Sequence, residues 1–290
     1  MVVVEQAVDD GADVALRHGA QARILAAQVP GLGHVQPRPI AHVAVVGGGL
    51  MGTGIAVAIL NAGLRVTLVE PRDEARARAA GNVAKTIRRD VDKGRIDGAT
   101  AGLRIAALSV AGDLEAAADA DLVIEAVFEE MAVKRDVFGA LDRIVGPDTI
   151  LASNTSTLDL DAIAACTTRP DRVVGLHFFS PANVMKLLEV VRGAATSPET
   201  LATAMRFGAA IGKSPVAAGV CDGFIGNRMF EEYLRQAWFL LEEGALPAQL
   251  DGTLTGWGMA MGPCAVMDLA GQDIGWSIRK RRAVEQPDRP

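Results

Sequence analysis

His177 and Glu189 are the residues of this chain best equipped for proton chemistry. His177 stands in Arg172-Val173-Val174-Gly175-Leu176-His177-Phe178-Phe179-Ser180-Pro181, an apolar, strand-like run that ends at a proline. Glu189 stands in a second such run, Leu187-Leu188-Glu189-Val190-Val191. If the two strands are neighbours, an imidazole meets a carboxylate, and such a pair makes a tuned general base. A core histidine bonded to a backbone carbonyl would look the same in sequence. On these residues alone both readings stay open.

A second constellation lies upstream. Val43-Ala44-Val45-Val46-Gly47-Gly48-Gly49-Leu50-Met51-Gly52 carries G-x-G-x-x-G between a strand and a helix, and Glu70 ends the following strand. That order, with an acidic residue about 20 positions on, is the fingerprint of a dinucleotide site. Gly47 permits the tight turn, Gly49 the approach of a pyrophosphate, and Gly52 close helix–strand packing. The helix N-terminus offers N–H donors to phosphate. Glu70 can accept from the adenosine ribose and would repel a 2′-phosphate, which favours NAD over NADP; Arg72 nearby keeps that point open. Ser153-Asn154-Thr155-Ser156-Thr157 follows another strand, at the sheet edge where ligands of open α/β sheets bind. Ordinary helix capping would also explain it.

These residues need a scaffold that alternates strands and helices. The pattern predicts strands at 43–46, 65–70, 121–127 and 149–153, and helices at 50–62, 73–93, 131–145 and 160–165, before the His177 strand. Such βαβ alternation means a Rossmann-type, doubly wound, mostly parallel α/β sheet. The expected domains are an N-terminal helix and linker (1–38), an NAD-binding domain (39–218) and a small all-α substrate or dimerisation domain (219–290) that reads as truncated.

Composition excludes several function classes. The chain has 290 residues and a net charge of −6 without a basic block, which argues against nucleic acid as partner. Half of the residues are hydrophobic but only 4% aromatic, which suits tight α/β packing. Cys166, Cys221 and Cys264 form no CxxC pair, and with four histidines no cluster has metal-ligand spacing. Scattered thiols fit a reducing, cytoplasmic setting. The uncharged stretch between Arg38 and Arg65 could span a bilayer by length, but glycines crowd its middle and favour strand, turn and helix.

The ordered motifs together resemble the L-3-hydroxyacyl-CoA dehydrogenase family, specifically the dehydrogenase part of bacterial multifunctional fatty-acid β-oxidation enzymes. The resemblance rests on Gly47–Gly52, Glu125-Ala126-Val127-Phe128-Glu129, Ser153–Ser156, His177–Pro181, Met185–Val190, Gly223-Phe224-Ile225-Gly226-Asn227-Arg228 and Met261-Gly262-Pro263. It implies NAD-dependent oxidation of L-3-hydroxyacyl-CoA to 3-oxoacyl-CoA. It implies His177 as base, Glu189 as its partner, Ser156 on the reacting oxygen and Asn227 on the acyl part. It places Leu50, Met51 and Asn154 at the cofactor, with Glu129 and Lys134 on the nicotinamide-side ribose. An acyl-CoA substrate, a homodimer and a separate enoyl-CoA hydratase are the partners it implies; no membrane is among them. Ser180, where single-function dehydrogenases carry Asn, points to the multifunctional branch. Two other readings remain: a non-catalytic NAD-binding or interaction module, and a dehydrogenase of a hydroxyacid without CoA. Basic residues of the 73–93 helix (Arg76, Arg78, Lys85, Arg88, Arg89, Lys93) read mostly as a solvated face, with one or two free to meet CoA phosphates.

Overall fold

A computed structural model describes residues 29, 32–270, 276, 279, 280 and 283. The helix expected before Val29 lies outside the described residues. The chain divides into two compact units, Met1–Phe224 and Ile225–Pro290.

The first unit is built on an eight-stranded sheet. Its strands are β1 (His42–Val46), β2 (Arg65–Val69), β3 (Leu108–Ala111), β4 (Leu122–Glu125), β5 (Ile150–Ser153), β6 (Val173–Phe178), β7 (Leu187–Arg192) and β8 (Ser214–Gly219). Their spatial order is β3-β2-β1-β4-β5-β6-β7-β8, and every pairing is parallel except β6 with β7. The reversal of strand order beside β1 is the switch point that opens a ligand crevice in a doubly wound sheet. The expected fold class is the one observed.

The helices α1 (Leu50–Asn61), α2 (Asp73–Asp92), α3 (Gly98–Ala106), α4 (Met131–Ile144), α5 (Leu160–Ala164) and α6 (Pro198–Ala210) flank the sheet. In α2 the buried residues Ala75, Ala79, Val83 and Ile87 recur every fourth position, the stripe of an amphipathic helix on a core. Ile55, Ile59 and Leu60 of α1 join them on one face of the sheet, while Phe138 and Leu141 of α4 pack the other. Leu32 is buried in the first of these clusters, and the Arg38 N–H donates to Thr203 Oγ1 at 3.0 Å. The segment after position 31, expected as a linker, is thus packed onto the body.

Four elements escape the sequence pattern, the helix α6 among them. The β3 strand has four residues and a half-exposed edge, too short to show a period. The α3 helix precedes it, capped by Asp97, which accepts from Thr100 N at 2.6 Å. The β8 strand contains Pro215, which reads as a break; it pairs with β7 alone, and a proline is tolerated at such an edge.

The second unit holds α7 (Gly226–Glu242), α8 (Pro247–Trp257) and α9 (Pro263–Ala270). Gly258, at φ 119°, ends α8 in the left-handed conformation. Asp251 of α8 accepts from the Cys264 and Ala265 N–H groups at 2.9 and 3.0 Å and so caps α9. No helix among the described residues is long and apolar enough to cross a membrane.

Candidate active site

The antiparallel β6–β7 pair brings the proton-chemistry residues together. His177 lies directly opposite Glu189 in the register, and directly opposed residues project from the same face. His177 Nδ1 stands 2.6 Å from Glu189 Oε2. The side chains are 6% and 0% exposed, so the pair is shielded from solvent screening. With an ionised Glu189 accepting, Nδ1 carries the hydrogen and Nε2 is left as the basic nitrogen. Gly175 makes the close strand approach possible: a Cβ there would lie 2.6 Å from Val191 Cβ. Phe179 and Phe224 tilt against the imidazole with centroids 4.5 and 5.6 Å away. Phe224 holds a positive φ of 45° with 2% exposure, a costly backbone state kept by burial.

The dinucleotide loop sits at the carboxyl end of β1. Gly47 has φ 111°, and a Cβ on it would stand 2.5 Å from Ala126 O. A Cβ on Gly52 would stand 1.9 Å from Gly47 O. Both glycines are therefore required by the protein itself. Gly49 differs: a Cβ there meets nothing within 4 Å, although its φ of −74° suits any residue. The space it keeps clear opens on the first turn of α1, which has no side-chain cap and no acidic residue. These features fit a dinucleotide's phosphates. Leu50 and Phe128 stand 75% and 70% exposed at this edge, apolar surface that a bound cofactor would cover.

Glu70 closes the loop from β2. Its Oε2 accepts from Gly48 N at 3.1 Å and its Oε1 from Arg72 Nε at 3.1 Å. Burial raises the carboxyl pKa, but the Gly48 N–H and Arg72 outweigh it and hold the group below its ordinary value. Glu70 is thus a fixed anion where a ribose would lie.

A buried charged cluster supports the segment after β5. Glu125 and Ser153 are register partners on β4 and β5. Glu125, fully buried, accepts from Ser153 Oγ at 2.7 Å, from Val127 N at 2.8 Å and from Lys134 Nζ at 2.8 and 2.9 Å. Lys134 also reaches Glu129 Oε2 at 3.1 Å. Glu129 Oε1 then accepts from Thr155 Oγ1, Ser156 N and Thr157 N at 2.7, 2.8 and 3.0 Å. Burial raises the Glu129 pKa, yet Lys134 and these donors prevail and hold it low. Asn154 Oδ1 accepts from Phe178 N at 2.9 Å and ties this segment to the histidine strand.

The first unit therefore gathers His177, Glu189, Ser156, Asn154, Glu129 and the Gly47–Gly52 loop on the carboxyl side of its parallel strands. Lys134, 1% exposed, can act on a ligand only through Glu129, which is 36% exposed. Asn227 lies in the first turn of α7, in the second unit. Sequence reasoning quoted Glu125 and Ser153 within motifs but gave them no role, and it missed Lys213. A glutamate inside an apolar strand, nine residues before a helical lysine, was the available signal for the first. A cleft of about 240 Å³ runs beside the loop, bounded by Thr53 and Gly54 of α1, Lys85 and Arg89 of α2, and Pro181 and Asn183 after β6.

Comparison with known proteins agrees with this geometry. Residues 42–221 match the family model for the NAD binding domain of 3-hydroxyacyl-CoA dehydrogenase, and residues 223–290 match that for its C-terminal domain. The chain is 48% identical over 253 residues to the peroxisomal bifunctional enzyme of Danio rerio, across 87% of this chain and 34% of that protein. It is 43% identical over 251 residues to the peroxisomal bifunctional enzyme of Homo sapiens, across 86% and 34% respectively. The chain thus spans about a third of the length of these relatives. Among solved structures, M. tuberculosis FadB2 superposes with a TM-score of 0.82 at 36% identity, covering 87% of this chain and 90% of that one. The 3-hydroxybutyryl-CoA dehydrogenase of Escherichia coli K12 gives 0.80 at 39% identity, covering 83% and 52%.

Proposed function

This chain belongs to the 3-hydroxyacyl-CoA dehydrogenase family, and from that membership we propose that it oxidises L-3-hydroxyacyl-CoA to 3-oxoacyl-CoA with NAD in fatty-acid β-oxidation. The 2.6 Å His177–Glu189 bond, set in the same sheet edge as an open dinucleotide loop, carries the reading. His177 Nε2 takes the proton of the substrate 3-hydroxyl as the C3–H bond breaks. Glu189 orients the ring and stabilises the imidazolium that results. Ser156, held by Glu129, hydrogen-bonds the reacting oxygen. NAD, held by the Gly47–Gly52 loop and Glu70, would supply the hydride acceptor for C3, and the protein's share is to position the reactants and manage the proton.

The remaining residues take supporting roles. The Gly47–Gly52 loop with Leu50 and Met51 holds the pyrophosphate, and Glu70 the adenosine ribose. Glu129, backed by Lys134, holds the second ribose, and Asn154 borders the nicotinamide. Asn227 holds the acyl part. Residues 39–218 serve the cofactor, and 219–290 the substrate and a homodimer contact. The cleft beside Lys85 and Arg89 receives the CoA phosphates, to which those two cations are complementary. Three scattered cysteines with no CxxC pair support a cytoplasmic location, and a separate enoyl-CoA hydratase would supply the substrate.

The test is NADH oxidation with acetoacetyl-CoA as acceptor, run beside a solution mass measurement. Wild type turns over, and His177→Ala loses at least about a hundredfold in kcat while keeping its NADH affinity. Full activity in that variant sinks the assignment of the base. Binding of NADH without turnover on any acyl-CoA chain length makes the protein a binding module instead.

A further inference from the structure

The turn from Pro181 to Lys186 joins the strand carrying His177 to the strand carrying Glu189. It is compact: Val184 N and Met185 N both donate to Pro181 O, at 2.9 and 3.0 Å. It also leans on the cofactor-side helix, since a Cβ on Gly54 of α1 would lie 3.1 Å from Ala182 Cβ. Its residues Pro181, Ala182 and Asn183 wall the cleft that faces α1 and α2.

Lys213, the residue just before β8, reaches under this turn. Its ammonium donates to Ala182 O at 2.5 Å and to Met185 O at 2.8 Å, and the residue is 8% exposed. Both described partners are carbonyls, and the charged group acting on it is another cation, Lys186. A buried ammonium with no carboxylate partner is a poor choice for stability alone, because desolvation exceeds what neutral acceptors return. An apolar side chain of equal length would fill the same space at less cost. The lysine's distinctive contribution is geometric: one atom bonded to two points of the turn.

We infer that Lys213 is a positioning residue for the acyl-CoA cleft, its ammonium clamping the 181–186 turn so that Pro181, Ala182 and Asn183 hold their wall against α1. The inference rests on the dehydrogenase reading above. The His177–Glu189 pair does not depend on the clamp, because four register pairs of β6 and β7 hold it. Loss of the clamp therefore changes substrate affinity and spares the chemical step.

The experiment compares Lys213→Met, which keeps the volume and removes the donors, with Lys213→Arg, which keeps charge and donors. Each full-length protein is assayed with NADH and acetoacetyl-CoA, and amide exchange of the 181–186 peptide is followed by mass spectrometry. Lys213→Met is expected to raise KM for acetoacetyl-CoA about thirtyfold, the effect of two hydrogen bonds of ordinary net strength. Its kcat stays within about threefold, its urea midpoint is unchanged or higher, and the 181–186 amides exchange faster. Lys213→Arg recovers most of the lost affinity, whereas a role in packing alone would favour Met over Arg. Unchanged KM and exchange in Lys213→Met overturn the inference, as does a parallel fall of stability and kcat in both variants. If wild type turns over no acyl-CoA, the dehydrogenase reading fails, and the exchange rate of the turn alone then decides the clamp.

Discussion

Replacing Glu189 by Gln tests the base assignment most sharply. The amide is nearly isosteric and can still accept the Nδ1 hydrogen of His177, so the ring keeps its place and tautomer. What disappears is the negative charge beside the imidazolium once His177 has taken the proton. Nδ1 and Oε2 lie 2.6 Å apart and both side chains are buried. Charge centres about 4 Å apart interact by about 4 kcal/mol at an effective dielectric of about 20. A neutral hydrogen bond retains about 1 kcal/mol, leaving a net loss of about 3 kcal/mol. At about 1.4 kcal/mol per tenfold, kcat should fall between about a hundred- and a thousandfold. The lost charge acts once the proton has moved to the ring and not when a hydroxyacyl substrate binds, so KM in the oxidation direction should barely move. Steady-state kinetics with 3-hydroxybutyryl-CoA and NAD read both constants. In a double-mutant cycle, His177→Ala with Glu189→Gln should be no worse than His177→Ala alone. A kcat within threefold of wild type for Glu189→Gln would falsify the electrostatic role and leave the short bond as scaffolding.

Other outcomes separate the ligand's needs from the fold's. Gly49→Ala should leave the melting temperature within about 2 °C of wild type, an effect below about 0.5 kcal/mol, and weaken NADH binding at least tenfold, because its Cβ meets no protein atom; calorimetric titration decides, and unchanged affinity refutes the phosphate site. Gly52→Ala should instead destabilise the fold, its Cβ falling 1.9 Å from Gly47 O, which a melt would reveal. Lys134→Met leaves the Glu125 carboxylate buried without its cation and should cost about 3–5 kcal/mol in urea unfolding; a loss below about 1 kcal/mol contradicts the pairing. Burial, aided by Lys186, pushes the Lys213 ammonium down to about 8 from 10.5. The unfolded chain then holds that proton over a range where the folded one has lost it. Wild-type stability should therefore rise relative to Lys213→Met between about pH 8 and 10.5. A flat or falling difference across that window rules it out.

Much of the site was legible because its signals are local. The Gly47–Gly52 loop declares itself by glycines between a β-branched run and a helix, and the His177 and Glu189 runs are apolar strands with one polar residue apiece. Their meeting followed from the family resemblance, while the residues alone left it open; it needs the antiparallel β6–β7 pairing, which the short connection between residues 178 and 187 favours over a parallel crossover. Glu129 and Lys134 were implied as cofactor residues by the resemblance, but their tie to buried Glu125 was hidden. Glu125 looks like a strand residue and Lys134 like a surface lysine until α4 packs on the sheet. Lys213 was still less visible, since a lysine before a strand is ordinary and its acceptors are backbone atoms. Lys85 and Arg89, by contrast, are as exposed as the interleaved charges of α2 foretold, yet they edge the cleft.

The direction of β7 also governs the order in which the molecule assembles. The two halves of the base pair lie 12 residues apart in the chain, within a single hairpin that closes at small entropic cost. The tie from Gly48 to Glu70 spans 22 residues, and that from Glu125 to Ser153 spans 28. Each joins separate parallel strands across a helical crossover. Short-range contacts form sooner than long-range ones during folding. A refolding chain should thus protect the 173–192 amides from exchange before those of the dinucleotide turn, so that the proton acceptor is in place before the crevice able to bind a cofactor.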